Sequence, residues 1–172
     1  MSRLRSARLP LPSPAGVFFL IFLGGMVLAS RPSSALEELD TARLDALIGA
    51  SESVVVATAR QVRTAWTGNE YGDRVIVSTA VLEVSETLKG RPLPIRTIEV
   101  EGGAVDGVTL EVSDEPTVRT GDRAVFFLKS KHAERDQPLS TEDAVLVLDP
   151  QDAVHGRGLG LADIRNRARA GR

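Results

Sequence analysis

Two long runs of strand-forming residues, separated by a short turn-forming segment, constrain the fold of this chain more than any other feature. The first run is ESVVVATARQV, residues 52–62, and the second is DRVIVSTAVLEVSETLKG, residues 73–90. Between them lies WTGNEYGD, residues 66–73, which is rich in glycine, asparagine and aspartate. β-branched runs joined by residues of this kind predict a β-hairpin.

Four further runs predict strands: LPIRTIEVE (93–101), GVTLEV (107–112), RAVFFL (123–128) and AVLVLD (144–149). The alternation in GVTLEV predicts that Val108, Leu110 and Val112 face inward. The charged segment KSKHAERDQPLSTED, residues 129–143, is expected to be a mobile loop. Many short strands without an alternating strand–helix rhythm predict a mainly β chain, a small OB-like barrel of five to six antiparallel strands over residues 51–150.

A short helix is predicted on each side of the barrel. SALE, residues 34–37, has the pattern of a capping box, and the apolar residues behind it recur at helical spacing as far as Ile48, with Gly49 ending the pattern. An N-terminal segment, residues 30–50, therefore carries a helix. The C-terminal tail, residues 151–172, carries a second helix from Leu161 to about Ala170.

The first 29 residues have the pattern of a signal peptide. A basic stretch precedes AGVFFLIFLGGMVLA, residues 15–29, an uncharged run of the length that a secretory signal needs. Small residues allow cleavage after Ala29 or, alternatively, after Ala35; the first retains Ser34 as the helix cap. We therefore expect an exported protein, periplasmic or secreted, with an uncleaved N-terminal membrane anchor as the alternative.

Charge and cysteine content argue against several function classes. Residues 1–35 hold four of the 21 basic residues and no acidic one, so residues 36–172 hold 17 basic and 23 acidic residues. An acidic body repels nucleic acid and anionic membranes, so neither is expected as a partner. The chain has no cysteine, which excludes disulfides, thiol catalysis and thiolate metal sites.

The glycine-rich segment EGGAVDG, residues 101–107, raises the question of phosphate binding. A phosphate-binding loop opens a helix, whereas this segment opens a strand, and its glycines do not have the spacing of a dinucleotide fingerprint. HGRGLGLADI, residues 155–164, precedes a helix but lacks the third glycine and a following strand. We interpret Gly102, Gly103 and Gly107 as bend and turn positions.

No catalytic, metal or cofactor site is predicted. The two histidines, His132 and His155, lie 23 residues apart in polar segments, without the close ligand pairs of a zinc site. No G-x-S-x-G elbow is present. A hydrolase with a dispersed site is kept as an alternative, since triads assemble in space rather than in sequence.

The runs SESVVVATARQV, VIVSTAVLEVSETLKG and IEVEGGAVDGVTLEVSDEPTVRTGDRAVFFL together resemble a group of exported, mostly uncharacterised bacterial domains over residues 51–128. The first hairpin is also similar to the start of tissue-inhibitor-of-metalloproteinase and netrin-type modules, a resemblance that implies an OB-like five-stranded barrel. Those inhibitors chelate a protease zinc through an N-terminal cysteine. This chain has no cysteine, so that mechanism does not carry over.

The sequence therefore predicts a non-catalytic binding module that engages an extracytoplasmic protein or glycan. Trp66 and Tyr71, the only tryptophan and the only tyrosine, flank the hairpin connection together with Asn69. We predict these three residues as the partner contact, because Trp and Tyr are enriched in interface hot spots. Burial of the two rings over a barrel end is the alternative. Single-stranded nucleic-acid binding is a third function, which the acidic body disfavours.

Overall fold

The structure is a computed structural model that describes residues 41–171, except 70, 133, 134 and the side chain of 132. The predicted signal peptide, both cleavage sites and the Ser34 cap lie outside the described residues. The elements, in chain order, are helix α1 (Thr41–Ala50), strands β1 (Ser53–Gly68), β2 (Arg74–Lys89), β3 (Ile95–Glu101), β4 (Gly103–Val105), β5 (Val108–Leu110), β6 (Arg123–His132), β7 (Arg135–Pro138) and β8 (Val145–Val147), and helix α2 (Leu161–Ala170).

The main sheet closes on itself. Its strands pair in the order β1-β2-β3-β7-β6-β8, and β6 also pairs with β1. Strands β1, β2, β3, β7 and β6 therefore form a closed barrel, and β8 pairs with residues 124–126 of β6. The predicted class is therefore confirmed: a small, mainly β, OB-like barrel with a helix at each end of the described chain. The expected antiparallel pairing holds at every joint of the barrel except β3–β7, which is a parallel contact at Ile98 and Asp136.

The parallel joint is reinforced by side chains, because it contributes little backbone pairing. Arg96 is buried, and its Nη1 donates to Asp136 Oδ2 at 2.6 Å. Its Nη2 donates to the Ser53 hydroxyl at 3.2 Å and to the Arg91 carbonyl at 2.7 Å. One arginine thus joins β1, β3 and β7 where the barrel closes.

Two apolar clusters share the central strands. Alternate residues of β1 and β6 point to opposite faces, so Val55 and Phe126 lie in a cluster inside the barrel whereas Val54 and Phe127 lie in a cluster on its outside. The outer cluster is completed by both helices. This explains why RAVFFL is apolar on both faces: every residue from Ala124 to Leu128 is buried.

Ion pairs join the two helices to each other and to neighbouring segments, in addition to their apolar packing on the barrel. Asp143 is buried and lies 2.6 Å from guanidinium nitrogens of both Arg43 in α1 and Arg157 before α2. Arg167 of α2 pairs with Asp45 of α1 at 2.6 Å. The bounds of α2 are as predicted, and α1 continues through Gly49 to Ala50, one residue past the predicted end.

Two sequence expectations were wrong. The segment 129–143 is not wholly a loop: β6 continues to His132, and Arg135–Pro138 forms the strand that closes the barrel. Its polar residues gave no strand signal because most of its side chains are only half-buried or exposed. In GVTLEV only Val108–Leu110 form a strand, and Val108 is 47% exposed, since β5 pairs with β4 in a separate two-stranded sheet.

Neither helix in the described part of the chain has the length and apolarity that a membrane crossing requires.

Candidate functional site

The outer half of the β1–β2 hairpin, residues 61–77, is called the arm below. In the inner half of the hairpin β1 pairs with β2 on one side and, from Ser53 to Thr58, with β6 on the other. From Gln61 to Gly68, β1 keeps only β2 as a partner strand. The arm therefore carries the hairpin connection away from the apolar clusters, and it holds all three residues that the sequence singled out.

Asn69 organises the connection at the end of the arm. Its side-chain oxygen accepts hydrogen bonds from the backbone N–H of Tyr71 at 3.0 Å and of Asp73 at 2.8 Å. Its own backbone N–H donates to the Asp73 carbonyl at 2.9 Å, and Gly72 has a φ of +84°. An asparagine that bonds its own turn in this way fixes the backbone. Asn69 therefore holds the backbone of the connection, residues 69–73, which is called the tip below. Its side-chain oxygen is already engaged by two backbone N–H groups of the tip itself.

The two aromatic rings differ in exposure. Tyr71 is 81% exposed, whereas Trp66 is half-buried and belongs to neither apolar cluster. Trp66 pairs across the hairpin with the buried Ile76, and the Arg74 guanidinium lies 4.9 Å from the centre of its ring. The contact is a cation–π interaction, which holds both side chains on one face of the arm.

Arg74 is a site residue that sequence reasoning missed. It stands at the start of β2, opposite Gly68, and reaches the Trp66 ring diagonally across the hairpin. Its proximity to Trp66 depends on the register of the two strands, which the lengths of the runs did not fix. The available signal was the adjacent pair Gly68 and Asn69, which is typical of a turn between two strands.

The glycine-rich segment forms a corner beside the arm, as predicted. Gly102 and Gly103 have φ values of +110° and +124°, and Asp106 and Gly107, at +52° and +79°, form the turn between β4 and β5. Two successive positive φ values are typical of a type I′ hairpin turn. A Cβ on Gly103 would lie 2.7 Å from Thr64 Cγ2, so the absent side chain allows the β4–β5 hairpin to approach the arm.

A cleft of about 580 Å³ lies between the arm and this small hairpin. Thr64 of the arm and Ser78, the next residue of β2 after the arm, line it, and their hydroxyl oxygens lie 3.1 Å apart. The Ser78 hydroxyl also donates to the Gly102 carbonyl at 2.8 Å. The segment 109–119 forms the other wall, where Arg119 and two glutamates contribute charge. The cleft is therefore lined by hydroxyl, charged and apolar side chains together.

The cleft holds no metal-binding group among the described residues. Its lining includes no histidine, and the described residues contain no group of three His, Cys, Asp or Glu side chains placed to hold a metal. His155 is exposed elsewhere, in the loop before α2. The side chain of His132 lies outside the described part.

No family model matches the chain, and the curated proteins contain no match to it. The resemblance to exported bacterial domains and to netrin-type modules stays a prediction.

Proposed function

We propose that the chain is an exported, non-catalytic binding module that engages a protein partner outside the cytoplasm through the tip of its arm. The observation that carries the proposal is Tyr71, a large ring 81% exposed at the end of a hairpin whose other half belongs to a closed barrel. Exposed aromatic residues on a fixed support supply binding area with little loss of side-chain entropy.

Order at the tip supports this role. The Asn69 hydrogen bonds fix the connection before any partner arrives, and the Arg74–Trp66 contact restrains the neighbouring face. Preorganisation of this kind lowers the entropic cost of association. A connection held by side-chain hydrogen bonds beside a closed barrel therefore fits a recognition element.

Export rests on the apolar run at residues 15–29. Intact-mass measurement of the exported protein tests it, with a mature chain that begins at Ser30 as the expected result. A chain that begins at Leu36 would place the cleavage after Ala35, and a full-length species in the membrane fraction would establish the anchor instead.

The partner contact is tested by affinity capture from the exported fraction with the wild type and with Tyr71→Ala. Ile95→Ala is the matched control, because Ile95 is also a large apolar residue and is 63% exposed, but it lies on β3. We expect Tyr71→Ala to fold normally and to lose a protein that the wild type and Ile95→Ala both retain. If both variants keep every captured protein, the tip is not the contact.

A further inference from the structure

The arm leaves one edge of β1 open. From Gln61 to Gly68 its only partner strand is β2, and no strand in the described ranges pairs with its other side. An unpaired edge presents a row of backbone N–H and C=O groups, which is a template for the addition of another strand. Such an edge needs a reason to remain uncovered in a folded protein.

The hydrogen bonds identify which residues face the open side. Val62 N–H points away from β2, since it donates to the Thr120 hydroxyl at 3.2 Å. Alternation along a strand then turns the backbone groups of Thr64 and Trp66 the same way. The hydrogen bond of Ile76, which lies opposite Trp66 on β2, supports this orientation. The Ile76 carbonyl points towards β3 and accepts from Gly102 N–H at 2.7 Å, so Trp66 and Ile76 exchange no backbone hydrogen bonds across the hairpin.

Three arginines without an ion-pair partner among the described residues lie near this edge. Arg63 has a neutral neighbour, the Gln61 amide at 3.1 Å, when the amide oxygen faces it; Arg74 lies over the Trp66 ring; and Arg119 lines the adjoining cleft. None of these three arginines forms an ion pair with a described residue. Arg91 and Arg169 also have no such pair, but they lie outside the arm, and the other described arginines do form ion pairs: Arg43, Arg60, Arg96, Arg123, Arg135, Arg157, Arg165 and Arg167.

We propose that the open edge of β1, centred on Thr64 and Trp66, takes up an extended peptide segment with acidic side chains from the partner protein. The backbone groups of the edge supply main-chain hydrogen bonds for strand addition. Arg63 and Arg74 lie on opposite faces of the arm, so alternate side chains of an added strand meet a guanidinium on either face. The acidic partner is the one that these three arginines complement.

The cleft sets the direction in which the acidic residues lie. Glu111 and Glu115 contribute to its wall and repel a carboxylate that enters it. The acidic side chains of the segment therefore lie along the arm at 64–68, and the end nearest the cleft is neutral. The aromatic tip at Tyr71 then contacts the partner beyond the added strand.

The inference rests on the proposed binding function and names its mode. A first test uses the intact protein and a fluorescein-labelled, end-capped peptide of about six residues, the length of the edge from Arg63 to Gly68, in which successive glutamates at one end point to both faces and the other end is threonine. Wild type is expected to bind it, and the same peptide with alternate backbone nitrogens methylated is expected to bind at least about tenfold more weakly, because methylation removes the donors. This comparison needs no protein variant.

A second test uses Thr64→Pro, with Thr64→Val as the matched control. Both variants lose the Thr64 hydroxyl, but only proline removes the outward N–H. We expect Thr64→Pro to weaken peptide binding about tenfold relative to Thr64→Val, and bound peptide to slow hydrogen exchange at the amides of Thr64 and Trp66 in the wild type. Thermal unfolding of both variants shows whether each remains folded.

Several outcomes overturn the inference. One is the absence of binding; another is equal binding when lysine replaces glutamate or when the backbone is methylated. Tighter binding of an oligothymidylate to the same edge would indicate a nucleic acid instead. Capture that depends on Tyr71 but not on the N–H of Thr64 would leave the tip contact standing and remove strand addition alone, so the two proposals fail separately.

Discussion

The inner and outer halves of the β1–β2 hairpin belong to the same two strands but differ in how deeply their side chains are buried. From Val54 to Ala57 every residue of β1 is buried, because one face meets the barrel interior and the other meets the helices. From Gln61 to Gly68 no residue is buried, and exposed and half-buried residues alternate up to Thr67. The comparison teaches that a strand can carry the core at one end and an exposed edge at the other, once its pairing with a second strand stops.

Replacing one aromatic residue in each half of the molecule by alanine tests this comparison, and it gives the largest expected difference in the free energy of unfolding. Phe126 is fully buried inside the barrel, so Phe126→Ala is expected to lower the free energy of unfolding by about 3–5 kcal/mol. Tyr71→Ala at the tip is expected to change it by no more than about 0.5 kcal/mol. Urea unfolding measures both. Similar losses from the two variants would show that the arm is part of the cooperative core.

Two ion-paired arginines provide the next contrast. Arg96 is buried where the barrel closes, and Arg96→Met leaves Asp136 partly buried without its cation, at a cost of roughly 3 kcal/mol. Arg60→Met is the control, since both members of the Arg60–Glu83 pair are more than half exposed, and we expect a loss of at most about 1 kcal/mol. If the Arg96 variant is as stable as its control, the side-chain network does not hold the parallel joint.

The corner at Gly103 tests how the arm is held at its base. At a φ of +124°, and with a new Cβ 2.5 Å from the Ser78 hydroxyl oxygen, Gly103→Ala is expected to cost roughly 1–3 kcal/mol. Gly107→Asn is the control: no atom lies within 4 Å of a Cβ there, and asparagine tolerates the left-handed region. Thermal unfolding compares them. Equal stability of the two variants would show that the close approach to Thr64 is unimportant.

The fold was predictable because its signals are local and periodic. Strand runs of β-branched residues placed β1, β2, β3 and β6, and the apolar RAVFFL run indicated a strand buried on both faces. β7 could not be found in this way: RDQP has neither alternation nor β-branched residues, and it is a strand only because β3 and β6 lie on either side of it. The closing strand is thus defined by tertiary context.

The candidate site was predictable to a smaller degree. The rarity of Trp66 and Tyr71, and their place beside a turn, were visible in the sequence. The position of Arg74 over Trp66 depends on the register of the hairpin, and the open side of β1 depends on where its pairing with β6 stops, at Thr58. Neither property has a signature in a single sequence, since a run of strand residues does not state how many neighbours it has.

The smallest expected effect concerns how charge is used in the two regions. In the arm Arg63 and Arg74 have no carboxylate partner among the described residues, whereas on the barrel wall Glu99 pairs with Arg135 and with Lys131, the latter at 3.3 Å. Burial raises the pKa of Glu99, but the hydrogen bonds and charges of Arg135 and Lys131 outweigh it and leave the pKa below the ordinary value of 4.5.

A pKa lowered in the folded state means that Glu99 stabilises the fold above its unfolded pKa, and that this contribution is lost as the pH falls through the folded pKa. Glu99→Gln should therefore be slightly less stable than the wild type at neutral pH, and the difference should shrink below pH 4.5. Urea unfolding from neutral to acidic pH measures this, with Glu101→Gln as the control, because Glu101 is an exposed neighbour on the same strand. A difference that stays constant with pH would mean that Glu99 acts through packing, and the contrast in charge between wall and arm would then carry no energetic meaning.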